Sequence, residues 1–206
     1  MQVASYKLQV TNEAATNGDE DGLGIFQTLL RTVSVACTML IVRPEEPAEV
    51  LAIRHVVQAA FETSFEANLV DALRQQAQPI ASLVALIDDA VVGHILFSPV
   101  THASQPDLRV MALAPMAVAP ERQRHGIGSA LVREGIATCR RLDVVGVVVI
   151  GHPEYYPRFG FVRASSFGFT TTYDVPDEAF MALELESGAL RGKEGMIQFH
   201  PAFAGT

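Results

Sequence analysis

Residues 118–132 read VAPERQRHGIGSALV, and the types and spacing of their side chains suit the capture of an anion. Gln123, Gly126 and Gly128 set out Gln-x-x-Gly-x-Gly, and apolar residues at helical spacing start directly behind them. The first amides of a helix have no partner inside it, and glycines leave them unscreened, so they can converge on a phosphate with the helix dipole behind them. Arg122, Arg124 and His125 stand beside those amides, and Ile127 and Ser129 complete the turn. Over residues 120–141 five arginines face Glu121 and Glu134, a local balance of +3 in a chain whose formal net charge is −8. The plain alternative is a pair of glycines that only begin a helix. A dinucleotide loop starts the same way, but Leu131 stands where its third glycine belongs and no strand ending in an acid follows at the expected distance. A Walker-type loop would need Gly-Lys-Ser/Thr, which is missing.

Downstream, residues 155–161 read Tyr-Tyr-Pro-Arg-Phe-Gly-Phe. Gln123-x-x-Gly126-x-Gly128, preceded by Met116-Ala117-Val118, resembles the acetyl-CoA pyrophosphate loop of the GNAT superfamily of N-acetyltransferases. Tyr156-x-x-x-Gly160-Phe161 is similar to the element with which that family closes its acyl site, and the His152-Pro153-Glu154 lead-in resembles its YhbS-like bacterial branch. The order of the two motifs and their separation of about thirty residues agree with the family, and the resemblance covers roughly residues 39–206.

The resemblance implies an α/β GNAT fold: a mixed, twisted sheet with helices on both faces and the coenzyme in a gap between central strands. It implies acetyl-CoA as co-substrate, met by the backbone of Met116, Ala117 and Val118 along its pantetheine arm and by Gln123, Arg124, His125, Gly126, Ile127, Gly128 and Ser129 at its pyrophosphate. An N–H among residues 116–118 would hydrogen-bond the thioester carbonyl as charge develops on it. Tyr156 stands at the family's spacing for the tyrosine that meets the coenzyme sulfur, whereas Tyr155 reads as a packing aromatic. A typical family base is a Glu on the strand before the loop, yet residues 113–118 contain no ionisable group. Glu66 is the first candidate in its place, because the second helix borders the acceptor groove in the family; His94 and Glu62 follow. The implied reaction is acetyl transfer to a primary amine, on a small molecule or a protein, by direct attack in a ternary complex. The missing strand carboxylate leaves room for a different class of function, an acyl-CoA-binding sensor with little or no turnover.

Those residues need a strand, a turn and a helix to place them. Residues 110–118 read as the strand that enters the loop, and Pro115 within it cannot donate to a ladder, so the strand should bulge or part from a neighbour. A helix from 126 to about 141 puts Gly128, Leu131, Val132, Gly135 and Cys139 on one face, with Gly135 allowing close approach to the sheet. Residues 144–150, VVGVVVI, read as a strand covered on both sides. Upstream lie a strand at 39–43, a helix to about Phe61, a second from Phe65 through Leu73 that Pro79 ends, and strands at 82–87 and 91–97 around Asp88-Asp89-Ala90. Residues 98–108 read as a polar loop. Strand material follows at 161–162, 167–171 and 180–185, with a last hairpin over 190–199 turning at 192–195.

Residues 1–38 carry the tract TNEAATNGDEDG without sustained periodicity and read as an extension outside the fold, with a short helix at 23–35 or a docked strand as the structured alternatives. The length of 206 residues suits one domain with a substantial core. A net charge of −8 without a basic stripe argues against a nucleic-acid partner and suits a cationic amine. Cys37 and Cys139 show no metal-ligand spacing, which points to a reduced, cytoplasmic protein without a metal. No apolar run reaches the length of about 18 residues that spans a membrane; the nearest, residues 29–42, is broken by Arg31. Either a monomer or a homodimer fits.

Overall fold

In the computed structural model, which describes residues 39–78 and 80–204, alternate residues of the central strands feed separate cores on the two faces of one sheet. Chain order runs β1 (Leu40–Pro44), a 3-10 turn (Pro47–Glu49), α1 (Val50–Ala60), α2 (Phe65–Gln76), β2 (Ala81–Ile87), β3 (Ala90–Pro99), β4 (Thr101–His102), β5 (Val110–Val118), α3 (Ile127–Arg141), β6 (Gly146–Ile150), β7 (Val162–Arg163), β8 (Phe169–Thr171), β9 (Phe180–Glu184) and β10 (Gly195–Gln198). The extension read over residues 1–38, with its alternatives, and the stop read at Pro79 lie outside the described residues.

The period-two geometry of a strand explains the sorting. Leu83 and Ala85 of β2 join Ile95, Phe97 and Leu113 under α3, while Val84 and Leu86 join Leu96 and Ala117 under α1 and α2. Helix α3 contributes Leu131, Val132, Ile136 and Cys139 to its side, and α1 and α2 contribute Ile53, Val57, Val70 and Leu73 to the other. Gly135 sits where α3 meets β3: a Cβ there would lie 2.3 Å from the Phe97 ring, so the missing side chain sets how closely the helix approaches. The hairpin between β2 and β3 turns on Asp88 and Asp89, both in the left-handed region at φ 49° and 61°, as a two-residue turn between twisted strands requires.

The main sheet has seven strands in the order β1-β2-β3-β5-β6-β9-β7. Its pairs are antiparallel except β5 with β6, which are parallel. That one pair is short. Val110, Met111 and Ala112 face Gly146, Val147 and Val148, after which β5 continues to Val118 beside β3 and β6 continues to Ile150 beside β9. On its β3 side, β5 takes three steps from Leu113 to Met116 while β3 takes two from Phe97 to Ile95, so one extra residue bulges at Ala114 and Pro115. The expected consequences of Pro115, a bulge and a parting, are both present.

Two expectations need correction. Residues 98–108 are not all loop: β3 runs on to Pro99, and Thr101–His102 is a strand that pairs with β10. Ser98 and His102 are buried, and polar residues in buried strand positions leave no hydrophobic alternation to read. Nor do residues 190–199 form a hairpin. Positive φ at Gly192 puts a turn in the first half, and β10 instead pairs in parallel with β8 and antiparallel with β4.

Candidate active site

The end of β5 and the start of α3 are joined by a loop that its own hydrogen bonds hold in shape. Arg122 N–H donates to Ala119 O at 2.8 Å, and Gln123 N–H to Pro120 O at 3.3 Å. The Gln123 side-chain amide donates to Val118 O at 3.1 Å, tying the loop back to the strand. His125 Nδ1 lies 2.7 Å from Gln123 O; a carbonyl only accepts, so Nδ1 carries a hydrogen and donates it to the loop backbone. Arg124 and Gly126 both have left-handed backbone, at φ 65° and 82°. At Gly126 this conformation turns the chain into α3, and no side chain caps the helix that follows.

The first helix amides, at Ile127, Gly128 and Ser129, therefore stand at a helix start flanked by the exposed side chains of Arg122, Arg124 and His125. Ala130 N–H begins the helical ladder by donating to Gly126 O at 3.0 Å. Met116 and Val118, whose side chains reach to within 4 Å of where a Gly128 Cβ would lie, connect this helix start to the stretch of β5 that has left β6.

The two tyrosines divide in a way their order in the chain does not reveal. Tyr155 points its hydroxyl at the first turn of α3, 2.9 Å from the position of a Gly128 Cβ. Burial pushes its phenol up, against the pull of the Ser129 hydroxyl and of the Arg158 and Arg133 guanidinium groups; the Arg158 guanidinium stacks 4.4 Å over its ring. Tyr156 enters the core under α3, edge-on to Phe161 at 5.6 Å and flat enough on Gly151 that a Cβ there would fall 2.4 Å from its ring. Burial, with the neighbouring Tyr155 adding to it, drives the Tyr156 phenol far above its ordinary range, so it holds its proton. Tyr155 is thus a neighbour of the loop that residue types alone assigned to packing; its adjacency to Tyr156 was the available signal.

The candidate bases scatter. Glu66 lies half-buried in the first turn of α2, where Thr63 Oγ1 donates to it at 3.1 Å, and Glu62 is exposed in the preceding loop. His94 is fully buried on β3, paired across the sheet with Ala117 of β5. Its ring meets Ser82 Oγ at 2.8 Å and lies 3.5 Å from Glu45 Oε2. Burial holds the imidazole below its ordinary basicity, opposed by Glu45 and reinforced by Arg74. Glu45 and Ser82 gave no sign of this in the sequence, since a proline-flanked acid and a strand serine have ordinary structural uses. Cys139 faces Met111 Sδ at 3.9 Å in the core, and burial pushes its thiol up to about 12. Among the described residues, no group of three or more His, Cys, Asp or Glu is placed to hold a metal, and no helix is long and apolar enough to cross a membrane.

A strand that parts from its parallel neighbour and runs into an uncapped glycine-led helix start is a specific arrangement, and a sequence model described as the acetyltransferase (GNAT) family matches residues 50–161. The chain belongs to that family. Over 165 residues it is 32% identical to the uncharacterised N-acetyltransferase YhbS of Escherichia coli K12, covering 80% of this chain and 98% of that protein. The crystal structure of Escherichia coli YhbS in complex with CoA resembles it with a TM-score of 0.77 at 30% identity, over 81% of this chain and 93% of that one. A GNAT family acetyltransferase from Brucella melitensis in complex with acetyl-CoA gives a TM-score of 0.67 at 34% identity, over 81% of this chain and 99% of that one. The GNAT fold expected from the motifs is the fold observed, and the sensor reading draws no support from these acetyltransferase relatives.

The Cys139 environment generates a direct test. A thiol held protonated in the core reacts slowly, so iodoacetamide at neutral pH should alkylate Cys139 at least about 100-fold more slowly in the folded protein than in denaturant. Peptide mass mapping separates this site from Cys37, and fast labelling of folded Cys139 would contradict its burial.

Proposed function

We propose that the protein transfers the acetyl group of acetyl-CoA to a primary amine, on a small molecule or a protein, by direct attack in a ternary complex. The observation that carries this reading is an adjacency: Met116 and Val118, on the stretch of β5 that has left β6, reach within 4 Å of the Gly128 Cβ position in the uncapped first turn of α3. The diphosphate would sit on the amides of Ile127, Gly128 and Ser129, with Arg122 and Arg124 supplying positive charge around it and His125 beside them. The pantetheine arm would run along residues 113–118, where Met116, Ala117 and Val118 offer peptide groups in place of the missing strand. One N–H there would stabilise the oxyanion of the tetrahedral intermediate.

In the chemical step the amine nitrogen bonds to the thioester carbon, the C–S bond breaks, and the departing thiolate needs a proton. Tyr156 is the candidate for that role from its place in the motif: burial keeps its phenol protonated at neutral pH but also makes it a weaker acid, which limits its contribution. A buried Cys139 with a raised thiol offers no route through an acyl-cysteine. The chain's net charge of −8 favours a cationic acceptor.

The phosphate assignment predicts the behaviour of two glycine variants. Gly126→Asp would set a carboxylate at the diphosphate, and Gly128→Val would put a branched side chain against both the diphosphate and the Tyr155 hydroxyl. Losing two amide bonds to a charged group, each worth about 1.5–3 kcal/mol, should weaken CoA binding at least about 100-fold. Calorimetric titration with circular dichroism reads this; unchanged affinity in two folded variants would contradict the assignment.

The acid role predicts that Tyr156→Phe binds acetyl-CoA almost normally yet loses about 10²-fold in turnover, the lower end for a positioned acid because a thiolate can leave unaided. Thiol release from acetyl-CoA with a panel of primary amines is the assay. Tyr155→Phe, which removes a hydroxyl from the first turn of α3, should alter KM for acetyl-CoA more than kcat. Full turnover by Tyr156→Phe would remove Tyr156 from the chemistry.

A further inference from the structure

His94 is one of two described residues with a buried side-chain polar atom that has no hydrogen-bond partner, and the partners of its other nitrogen reveal the state of the ring. Ser82 Oγ lies 2.6 Å from Glu45 Oε2 and 2.8 Å from His94 Nε2. A hydroxyl has one hydrogen, and an ionised carboxylate can only accept it. The ring must then donate Nε2–H to Ser82, which leaves Nδ1 as a bare lone pair in the interior. Glu45 is ionised for its own reasons. Burial alone would raise its carboxyl, but the bonds from Arg74, His94 and Ser82 outweigh burial and hold it far below the usual carboxylate range. Arg74 Nε and Nη2 reach it at 2.7 and 2.9 Å.

The position of the ring matters as much as its tautomer. His94 is paired directly with Ala117, on the stretch of β5 that has left β6, while its bond to Ser82 holds the ring from β2 on the other side of β3. Leu96 is the β3 residue that faces the bulge at Ala114 and Pro115, between the rungs Ile95 with Met116 and Phe97 with Leu113. A basic nitrogen therefore lies one strand away from the place where β5 opens. Residues 113–118 carry no ionisable group of their own.

We propose that His94 is the proton acceptor for the attacking amine, its Nδ1 taking the ammonium proton through one water, with Ser82 and Glu45 orienting the ring. The proposal rests on the acetyl-transfer reading. The substrate R–NH3+ gives one proton to Nδ1 and becomes R–NH2, whose nitrogen attacks the thioester carbonyl. The C–N bond forms and the C–S bond breaks, Tyr156 protonates the departing thiolate, and the second nitrogen proton restores the Tyr156 phenol. The imidazolium returns its proton to solvent before the next turnover. The charged groups that act on the ring are Glu45, which favours the imidazolium, and Arg74, which opposes it. α1 presents apolar Ile53 and Val57 to the same core, and β5 presents Ala117.

The test compares acceptors that need a base with one that does not. Alkylammonium groups lose their proton only near pH 10.4, as lysine does, whereas hydroxylamine is already neutral in mildly alkaline buffer. His94→Gln keeps an N–H for Ser82 but has no basic nitrogen. It should lower kcat/KM at least about 100-fold for the best alkylamine and abolish the acid limb of its pH profile, with far smaller losses for hydroxylamine and for KM of acetyl-CoA. Glu45→Gln, by removing the charge that favours the imidazolium, should move the acid limb of the wild-type profile to lower pH. Equal losses with both acceptors, or an acid limb that persists in His94→Gln, would overturn the proposal. Nitrogen NMR of the full chain with CoA bound is an independent arm: Nδ1 should be unprotonated and Nε2 protonated, and the opposite tautomer would also overturn it. If wild type releases no thiol with any amine, the transfer reading fails by itself, and the tautomer still decides whether the lone pair exists.

Discussion

A parallel ladder needs an N–H at every second residue of each strand, and β5 cannot supply one at Pro115. The rest of the site depends on that constraint. Pairing with β6 ends at Ala112 and Val148, and the bulge at Ala114 and Pro115 re-aims the strand before it rejoins β3 at Met116. Each lip of the opening has its own support. Beyond the parting β5 is hydrogen-bonded to β3, and β6 to β9, so neither wall depends on the other. The peptide groups left over in residues 113–118 cannot stay unpaired away from water without cost. An extended ligand with amide groups of its own would satisfy them.

Helix α3 fixes the other end. Its approach to the sheet is set by the contact between Gly135 and Phe97, and its start by the left-handed turn at Gly126. The polarity of the cleft then changes along its length. Arg122, Arg124 and His125 are exposed, where salt screens their attraction for an anion. Tyr156 and His94 are buried, where the same distances carry stronger electrostatic consequences and small rearrangements of protons matter. On the acetyl-transfer reading, anion binding would fall at the exposed end and proton transfer at the buried end.

Much of this was legible in the sequence, and the reasons are physical. Pro115 announced a break in the ladder, Gly135 a close helix contact, and VVGVVVI a strand buried on both faces, because each depends on one residue type or one local period. Gly126 could be read as the entry to α3 because a left-handed turn into a helix favours glycine. What escaped depended on distant pairing. β4 finds β10 across more than 90 residues of chain, and its buried His102 looks like a loop residue until that partner is known. The orientations of Tyr155 and Tyr156 depend on how the segment packs against α3, and the cluster of Glu45, Arg74, Ser82 and His94 draws on three elements and the connection after β1. No spacing rule brings those four together.

The central claim is that the parting of β5 from β6 and the start of α3 form one ligand site. Hydrogen exchange of the backbone amides with and without CoA measures it directly. The account predicts that added CoA slows exchange in residues 113–118 and 126–129 together, with little change at the edge strand β1. Protection confined to β1, or to the small sheet of β4, β8 and β10, with residues 113–118 and 126–129 unaffected, would contradict it.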